Sequence, residues 1–335
     1  MATSGAGLAG GQPRLHVVTG KGGTGKTTVA AALALGLAAG GRRTLVVEVE
    51  GRQGLAQLFD TAPLPYEERK VAVASGGGDV YALAVDAEQA LLEYLELFYK
   101  LGRAGKALKR LGAVDFATTV APGVRDVLLI GKVYEAARRR RDGNRGPHVY
   151  DAVVLDAPPT GRITRFLNVN TEVADLARVG PIRSQADSIM TLLRSPDTAV
   201  HVVTMLEEMP VQETCDGVEE LRASALPVGS VLVNMVRDPL FPDEDLATAA
   251  RGQLDRDVLG AGLAAAGVRA GNGTVDGLVR ETEEHARRVA LERREREVLT
   301  GLGVPTYDLP LLGDGVDLGA LYRLAETLAE QGALR

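Results

Sequence analysis

Apolar and polar positions alternate along the chain in two distinct rhythms. Short β-branched runs appear at Leu15–Thr19, Thr44–Val49, Val80–Val85, Val149–Leu155, Ala199–Met205, Ser230–Val233 and Val304–Leu309. They are continuous rather than alternating, so both faces of each strand are covered. Longer stretches with helical spacing separate them. Thr28–Ala39 is an Ala/Leu helix closed by Gly40-Gly41. Strands of four to eight residues divided by helices predict an α/β fold, a mostly parallel central sheet flanked by helices. Two helical excursions break the rhythm, Glu88–Arg141 and Ile163–Arg194. In the first, Leu91, Leu92, Leu95, Phe98 and Leu101 fall at helical spacing. Asp276–Leu302 reads as a charged helix with interleaved Glu and Arg. No Pro/Gly/Ser linker and no repeat divides the chain. Residues 14–335 therefore read as one domain with a helical subdomain at approximately 87–141 and 162–198, after a disordered leader at 1–13.

Composition narrows the function. Of 335 residues, 45% are hydrophobic and 24% charged, ordinary values for a globular protein. The net charge of -6 leaves no global basic footprint, so no nucleic-acid partner is expected. No apolar run approaches the ~20 residues of a membrane span. The first residues lack the basic start and apolar stretch of a signal peptide. These points together predict a cytoplasmic protein that is not an integral membrane protein. Cys215 is the only cysteine, which excludes a disulfide scaffold or a thiolate metal site. His16, His148, His201 and His285 show no ligand spacing. His16 and His201 fall in expected strands and read as core or edge residues. Seven lysines stand against 31 arginines. Arginine runs therefore carry little weight here, whereas Lys21 and Lys26, five residues apart, carry much.

Those two lysines belong to Gly20-Lys21-Gly22-Gly23-Thr24-Gly25-Lys26-Thr27-Thr28, which fits G-x-x-x-x-G-K-[ST]. A strand precedes it and an uncapped helix follows, as a phosphate loop requires. Glycines let successive backbone N–H groups turn toward one anion, and the helix adds its positive end. Lys26 would reach the β- and γ-phosphates of a nucleotide, and the Thr27 hydroxyl would bind Mg²⁺. Asp156 ends a buried strand, at the ligand-binding edge of a parallel sheet, and can hold Mg²⁺ through a water. Asn234 also ends a strand, and its amide suits an adenine edge.

The loop with its early Lys21 resembles the deviant phosphate loop of the arsenite-pump and tail-anchored-protein-targeting ATPases. Asp156-Ala157-Pro158-Pro159-Thr160-Gly161 resembles the switch II of that group. Ala121-Pro122-Gly123 resembles its Pro-Gly segment, and Pro310-Leu311-Leu312 its late Pro-Leu-Leu near the base. Glu207 and Asn234 match two nucleotide-contacting positions. The resemblance implies a Mg·ATP-dependent switch ATPase, a homodimer or a heterodimer with a paralogue. ATP would close the dimer around a protein or membrane client. Gly161 would swing its N–H toward the γ-phosphate, and Lys21 would reach the partner's nucleotide. An anion-pump-driving role is a further reading of the same resemblance.

Three departures qualify it. The group carries Asp-Pro-Ala in switch I, where the aspartate orients the attacking water. Glu50-Gly51-Arg52 stands there instead, with Glu48 two residues earlier. Glu50 keeps the carboxylate one methylene further out, so hydrolysis is expected to be slow. The alternative is an ATP-binding regulatory subunit that pairs with an active paralogue. The cysteines used elsewhere in the group for zinc or arsenite are missing, so neither is expected. Finally, the stretch Glu88–Leu111 carries Arg103, Lys106, Lys109 and Arg110, which suits a covering helix or dimer surface as well as a groove for an apolar client helix. The run Arg138–Arg141 reads as a solvated helix end, with an anionic partner as the other reading.

Overall fold

A computed structural model describes residues 12–99, 122–142, 145–168, 181–269, 271–313 and 315–334. The strands are β1 Leu15–Gly20, β2 Arg43–Glu48, β3 Arg69–Val73, β4 Asp79–Ala84, β5 Ala152–Asp156, β6 Thr198–Thr204, β7 Val228–Val236 and β8 Thr306–Pro310. They form one sheet in the order β3-β4-β2-β5-β1-β6-β7-β8. All neighbours run parallel except β3, which is antiparallel to β4. The parallel sheet matches the expectation from the apolar runs. β3 does not appear among those runs, and its burial explains why. Arg69-Lys70-Val71-Ala72-Val73 is exposed or half-buried throughout. A short, charged strand protects a sheet edge, and it lacks the apolar continuity of a central strand.

The helices are α1 Lys26–Ala38, α2 Gly54–Leu58, α3 Ala87–Tyr99, α4 Pro122–Arg138, α5 Thr160–Leu167, α6 Pro181–Leu193, α7 Glu208–Ala223, α8 Asp243–Ala250, α9 Arg256–Ala265, α10 Asn272–Thr300 and α11 Leu318–Glu330. The first excursion thus appears as α3 and α4, the second as α5 and α6. Arg103, Lys106, Lys109 and Arg110, Ala121 of the Pro-Gly segment, and nearly all of the leader at 1–13 lie outside the described residues. Among those described, no helix is long and apolar enough to cross a membrane.

The period of two along each strand divides the core. Leu15, Val17, Leu45, Val47, Val153 and Leu155 face α4, α5 and α6. Val18, Val46, Val154 and Val203 face α1 and α11. Every residue of α1 from Val29 to Ala38 is buried. A helix covered on all sides shows no polar stripe, which is why its sequence is Ala/Leu without amphipathic period.

His16 and His201 sit in this core and form a directed chain. His16 Nε2 lies 3.0 Å from the Pro13 carbonyl, which can only accept, so that nitrogen carries the proton. His16 Nδ1 then accepts from His201 Nε2 at 3.0 Å, and His201 Nδ1 accepts from the Ser230 hydroxyl at 2.7 Å. Both rings must be neutral. Burial pushes His16 down to about 4, and burial with the neighbouring His16 pushes His201 down to about 3.

An unfolded histidine titrates near 6.5. Above that value neither state binds the extra proton. Below it only the unfolded chain does, so stability falls as the pH drops from about 6.5 toward about 4. Each ring contributes a slope approaching ~1.4 kcal/mol per pH unit. Urea midpoints measured between pH 7.5 and 4.5 should fall steeply for the wild type and less steeply for His201→Asn. Parallel profiles would show that both rings protonate without cost in the fold.

Candidate nucleotide and switch site

β1 and α1 are joined by the five residues Lys21–Gly25. Gly25 has φ +83°, and a Cβ there would stand 2.4 Å from Asn234 Nδ2. Only glycine satisfies both constraints. No side chain caps α1, so the first-turn N–H groups are open to an anion. Within the loop, Thr24 Oγ1 donates to the Lys21 carbonyl at 2.9 Å and Lys26 Nζ donates to the same oxygen at 3.2 Å. Burial lowers the Lys26 pKa, while Asp156 and Glu50 raise it. Asn234 Nδ2 donates to the Thr24 carbonyl at 2.9 Å. Its donor half braces the loop from β7 rather than standing ready for an adenine edge.

The floor of the site is made by the ends of two adjacent strands. Glu48 of β2 and Asp156 of β5 are register partners. Thr27 Oγ1 donates to Asp156 Oδ2 at 2.7 Å. Burial raises the Asp156 carboxyl to about 6; the Thr27 hydrogen bond opposes this and the Glu48 charge adds to it. Glu48 is only 2% exposed. Its Oε2 accepts the Leu55 N–H at 3.1 Å, and its Oε1 has no hydrogen-bond partner among the described residues. Two buried carboxylates with an unpartnered oxygen form a costly arrangement that a cation relieves. A hydroxyl and carboxylate oxygens are the hard donors Mg²⁺ prefers, so these residues fit that ion.

The switch segment follows directly. Glu50 is 22% exposed and lies between two guanidinium groups, Arg52 at 3.7 Å and Arg162 of α5 at 4.0 Å. Gly51 has φ +67°, which a proline ring cannot adopt. The segment therefore follows a backbone path that a proline at this position would not allow. Gln53 takes a left-handed φ of 56°, and its amide closes two hydrogen bonds with the Leu64 backbone, at 2.7 and 3.1 Å. In switch II, Thr19 Oγ1 donates to the Pro158 carbonyl at 2.7 Å, and Gly161 stands in the first turn of α5.

Gly23, Gly25, Lys26, Thr27, Thr28, Glu50 and Asp156 line one cleft of about 250 Å³. Gly20, Gly22 and Thr24 complete the loop beside it. Lys21, Gly161, Glu207, Asn234 and Pro310 are not among its lining residues. Lys21 Nζ instead pairs with Glu213 of α7 at 2.7 Å. Glu207 pairs with Arg288 of α10, and Pro310 ends β8 beside Val236. Glu48, Arg52 and Gly54 also line the cleft. Glu48 was legible as a second acid at a strand end. Arg52 is local to Glu50, whereas Arg162 reaches Glu50 and Glu213 reaches Lys21 only through tertiary packing.

Asn234→Ala should lower nucleotide-free stability by about 1–3 kcal/mol, because it strips the buried Thr24 carbonyl of its donor. Urea unfolding without nucleotide reads this directly. Unchanged stability with lost ATP affinity would return Asn234 to base recognition.

Residues 14–196 match the family described as anion-transporting ATPase. The chain is similar to the ATPase BagA of Mycobacterium tuberculosis, 56% identical over 319 residues that cover 95% of this chain and 93% of the relative. It is also similar to the ATPase GET3 of Eremothecium gossypii, 24% identical over 68% of this chain and 72% of the relative. The ATPase ARSA1 of Chlamydomonas reinhardtii is 25% identical over 74% of this chain and 38% of its own length. The phosphate loop, the strand-end acids and switch II all lie inside the matched region, and the chain belongs to the anion-transporting ATPase family.

Proposed function

We propose that the chain is a cytoplasmic Mg·ATP-dependent switch ATPase that works as a dimer. One observation carries the reading: the Thr27 hydroxyl rests on the buried Asp156 carboxylate at 2.7 Å, at the mouth of a phosphate loop and beside Lys26. Lys26 and the loop N–H groups bind the β- and γ-phosphates. Thr27, and Asp156 through a water, would hold Mg²⁺, with Glu48 behind them. The ion supplies charge neutralisation to the phosphate oxygens when bound. Gly161, at the start of α5, answers the γ-phosphate with its N–H. Glu50 orients the attacking water and accepts its proton. Residues 14–335 act as one ATPase unit, and the side that carries α3, α4, α5 and α6 meets a protein or membrane client.

Lys21 acts across the dimer. Its ion pair with Glu213 holds it away from its own cleft, and release from Glu213 frees it for the partner's phosphates. A cation supplied in trans makes closure and chemistry one event. Glu207 and Asn234 contribute at the rim: Glu207 through its pair with Arg288, Asn234 by fixing the loop. Pro310 closes the base side.

A second reading rests on Glu50. Held between Arg52 and Arg162, its carboxylate is engaged by two guanidinium groups rather than turned to a water. This favours an ATP-binding regulatory subunit whose active paralogue completes the site.

Glu50→Gln should keep ATP affinity and lose most turnover, measured as phosphate release. Lys21→Ala should bind ATP and fail to hydrolyse it. Mixing the two variants should restore one competent site per mixed dimer, since the Lys21→Ala subunit retains Glu50 and receives Lys21 from its partner. No recovery, with mixed dimers shown to form, would place Lys21 in cis. Wild-type turnover absent alone and present only with a paralogue would decide for the regulatory subunit.

A further inference from the structure

A second and larger cavity, about 1230 Å³, lies at the opposite end of the sheet. It opens beside Leu15 at the start of β1, whereas the phosphate loop follows Gly20 at its end. Six residues of strand separate the two sites by ~17–20 Å. The walls come from α3, α4 and α6, with His148 and Asp197 from the segments leading into β5 and β6. At this size it exceeds the usual range of small-molecule sites.

The cavity has two chemically different ends. At one, charges are matched. Lys132 Nζ lies 2.8 Å from Glu93 Oε1, and the Tyr66 hydroxyl donates to Glu93 Oε2 at 2.7 Å. At the other, cations crowd together. Arg14 donates to the Ala137 and Tyr150 carbonyls at 2.9 and 3.1 Å, and Arg140 to the Gly146 carbonyl at 3.2 Å. Arg138 lies over the Tyr134 ring, 5.5 Å from its centre. Among the described residues none of these three arginines forms an ion pair. Burial lowers the Arg14 pKa, Asp197 raises it and Arg140 lowers it further. Burial lowers His148 too, with Arg14 and Arg140 the next causes. Mutual repulsion of this kind marks a positive field in excess of its local counter-charge. Leu15, Leu128 and Leu192 add apolar lining.

The run Arg138–Arg141 acquires a role here. A solvated helix end would leave all its guanidinium groups in water. Instead Arg139 is half-buried and pairs with Glu68, which also accepts from the Tyr150 hydroxyl at 2.7 Å. That pair fixes the end of α4, so that Arg138 and Arg140 are presented on the cavity with Arg14.

We propose that this cavity binds an amphipathic organic anion, its carboxylate, phosphate or sulfonate head on Arg14, Arg138 and Arg140 and its apolar body along Leu15, Leu128 and Leu192. Guanidinium forks match planar oxyanions; Arg14 is half-buried, whereas Arg138 and Arg140 are exposed and open to a ligand. The site is separate from the nucleotide cleft, so occupancy does not require ATP to leave.

The test uses the full chain and the fluorescent anion 1-anilinonaphthalene-8-sulfonate. One saturable site per chain is expected, weakened by added salt and unchanged by saturating Mg·ATP. The Arg138→Gln/Arg140→Gln double variant should bind at least tenfold more weakly with an unchanged urea midpoint. Ser188→Trp, which places an indole in the cavity, should abolish binding with the arginines intact. Decanoate and decyl phosphate should both displace the dye, the tighter of the two naming the preferred head, and inorganic phosphate should not. Unchanged affinity in either variant, displacement by Mg·ATP, or no saturable binding would overturn the proposal. Displacement by inorganic phosphate as effectively as by decyl phosphate would overturn its apolar half.

Discussion

Glu48 and Asp156 end adjacent strands of a sheet that excludes water from both faces, and this juxtaposition constrains the rest of the nucleotide side of the molecule. Two carboxylates buried side by side repel each other and lose their hydration. The fold answers with what lies within reach: the Thr27 hydroxyl on Asp156, the Leu55 N–H on Glu48 and Lys26 across the cleft. The answer is incomplete, because Glu48 Oε1 keeps no hydrogen-bond partner among the described residues. A site that is electrostatically unfinished in the bare chain is a site whose ligand completes it. The strand order enforces the arrangement, since β1 with its phosphate loop lies next to β5, and β5 next to β2.

From that floor, contacts run outward in two directions. Through the switch segment, Gln53 is tied to Leu64, and two residues further on Tyr66 is tied to Glu93 of α3 and, through it, to Lys132 of α4. The segment that carries Glu50 is thus mechanically joined to the helices on one face of the sheet. Through the phosphate loop, Asn234 fastens Thr24 to β7, and Lys21 is held by Glu213 of α7. The loop is braced on one side and restrained on the other. Breaking the half-exposed Lys21–Glu213 pair costs less than breaking a buried contact, because water reaches both groups. Breaking the buried Asn234 contact leaves an unpaired carbonyl. The two ties therefore differ in kind: one is open to water and the other holds the loop's shape.

The sheet and the phosphate loop were legible in the sequence because each depends on local pattern. Val153-Val154-Leu155-Asp156 announces a buried strand that ends in an acid, and Gly25-Lys26-Thr27 announces a loop that turns into a helix. β3 escaped because an exposed edge strand has no apolar run. The path of switch I escaped because a positive φ at Gly51 follows from the loop's tertiary surroundings. Arg162, Glu213 and Arg288 escaped because long surface side chains find their partners across elements, and in an arginine-rich chain nothing local distinguishes them. The same holds for the Arg138–Arg141 run, in which Arg139 pairs with Glu68, Arg138 and Arg140 line the cavity and Arg141 is exposed.

Every role proposed for the nucleotide cleft depends on Lys26 binding phosphate. Isothermal titration of the purified chain with Mg·ATP should give one site per chain. In Lys26→Ala the affinity should fall by roughly 10²-fold or more, since charge-assisted hydrogen bonds to phosphate are worth about 1.5–3 kcal/mol each. Near-wild-type affinity in Lys26→Ala, with the fold intact, would contradict the assignment of this loop and the function built on it.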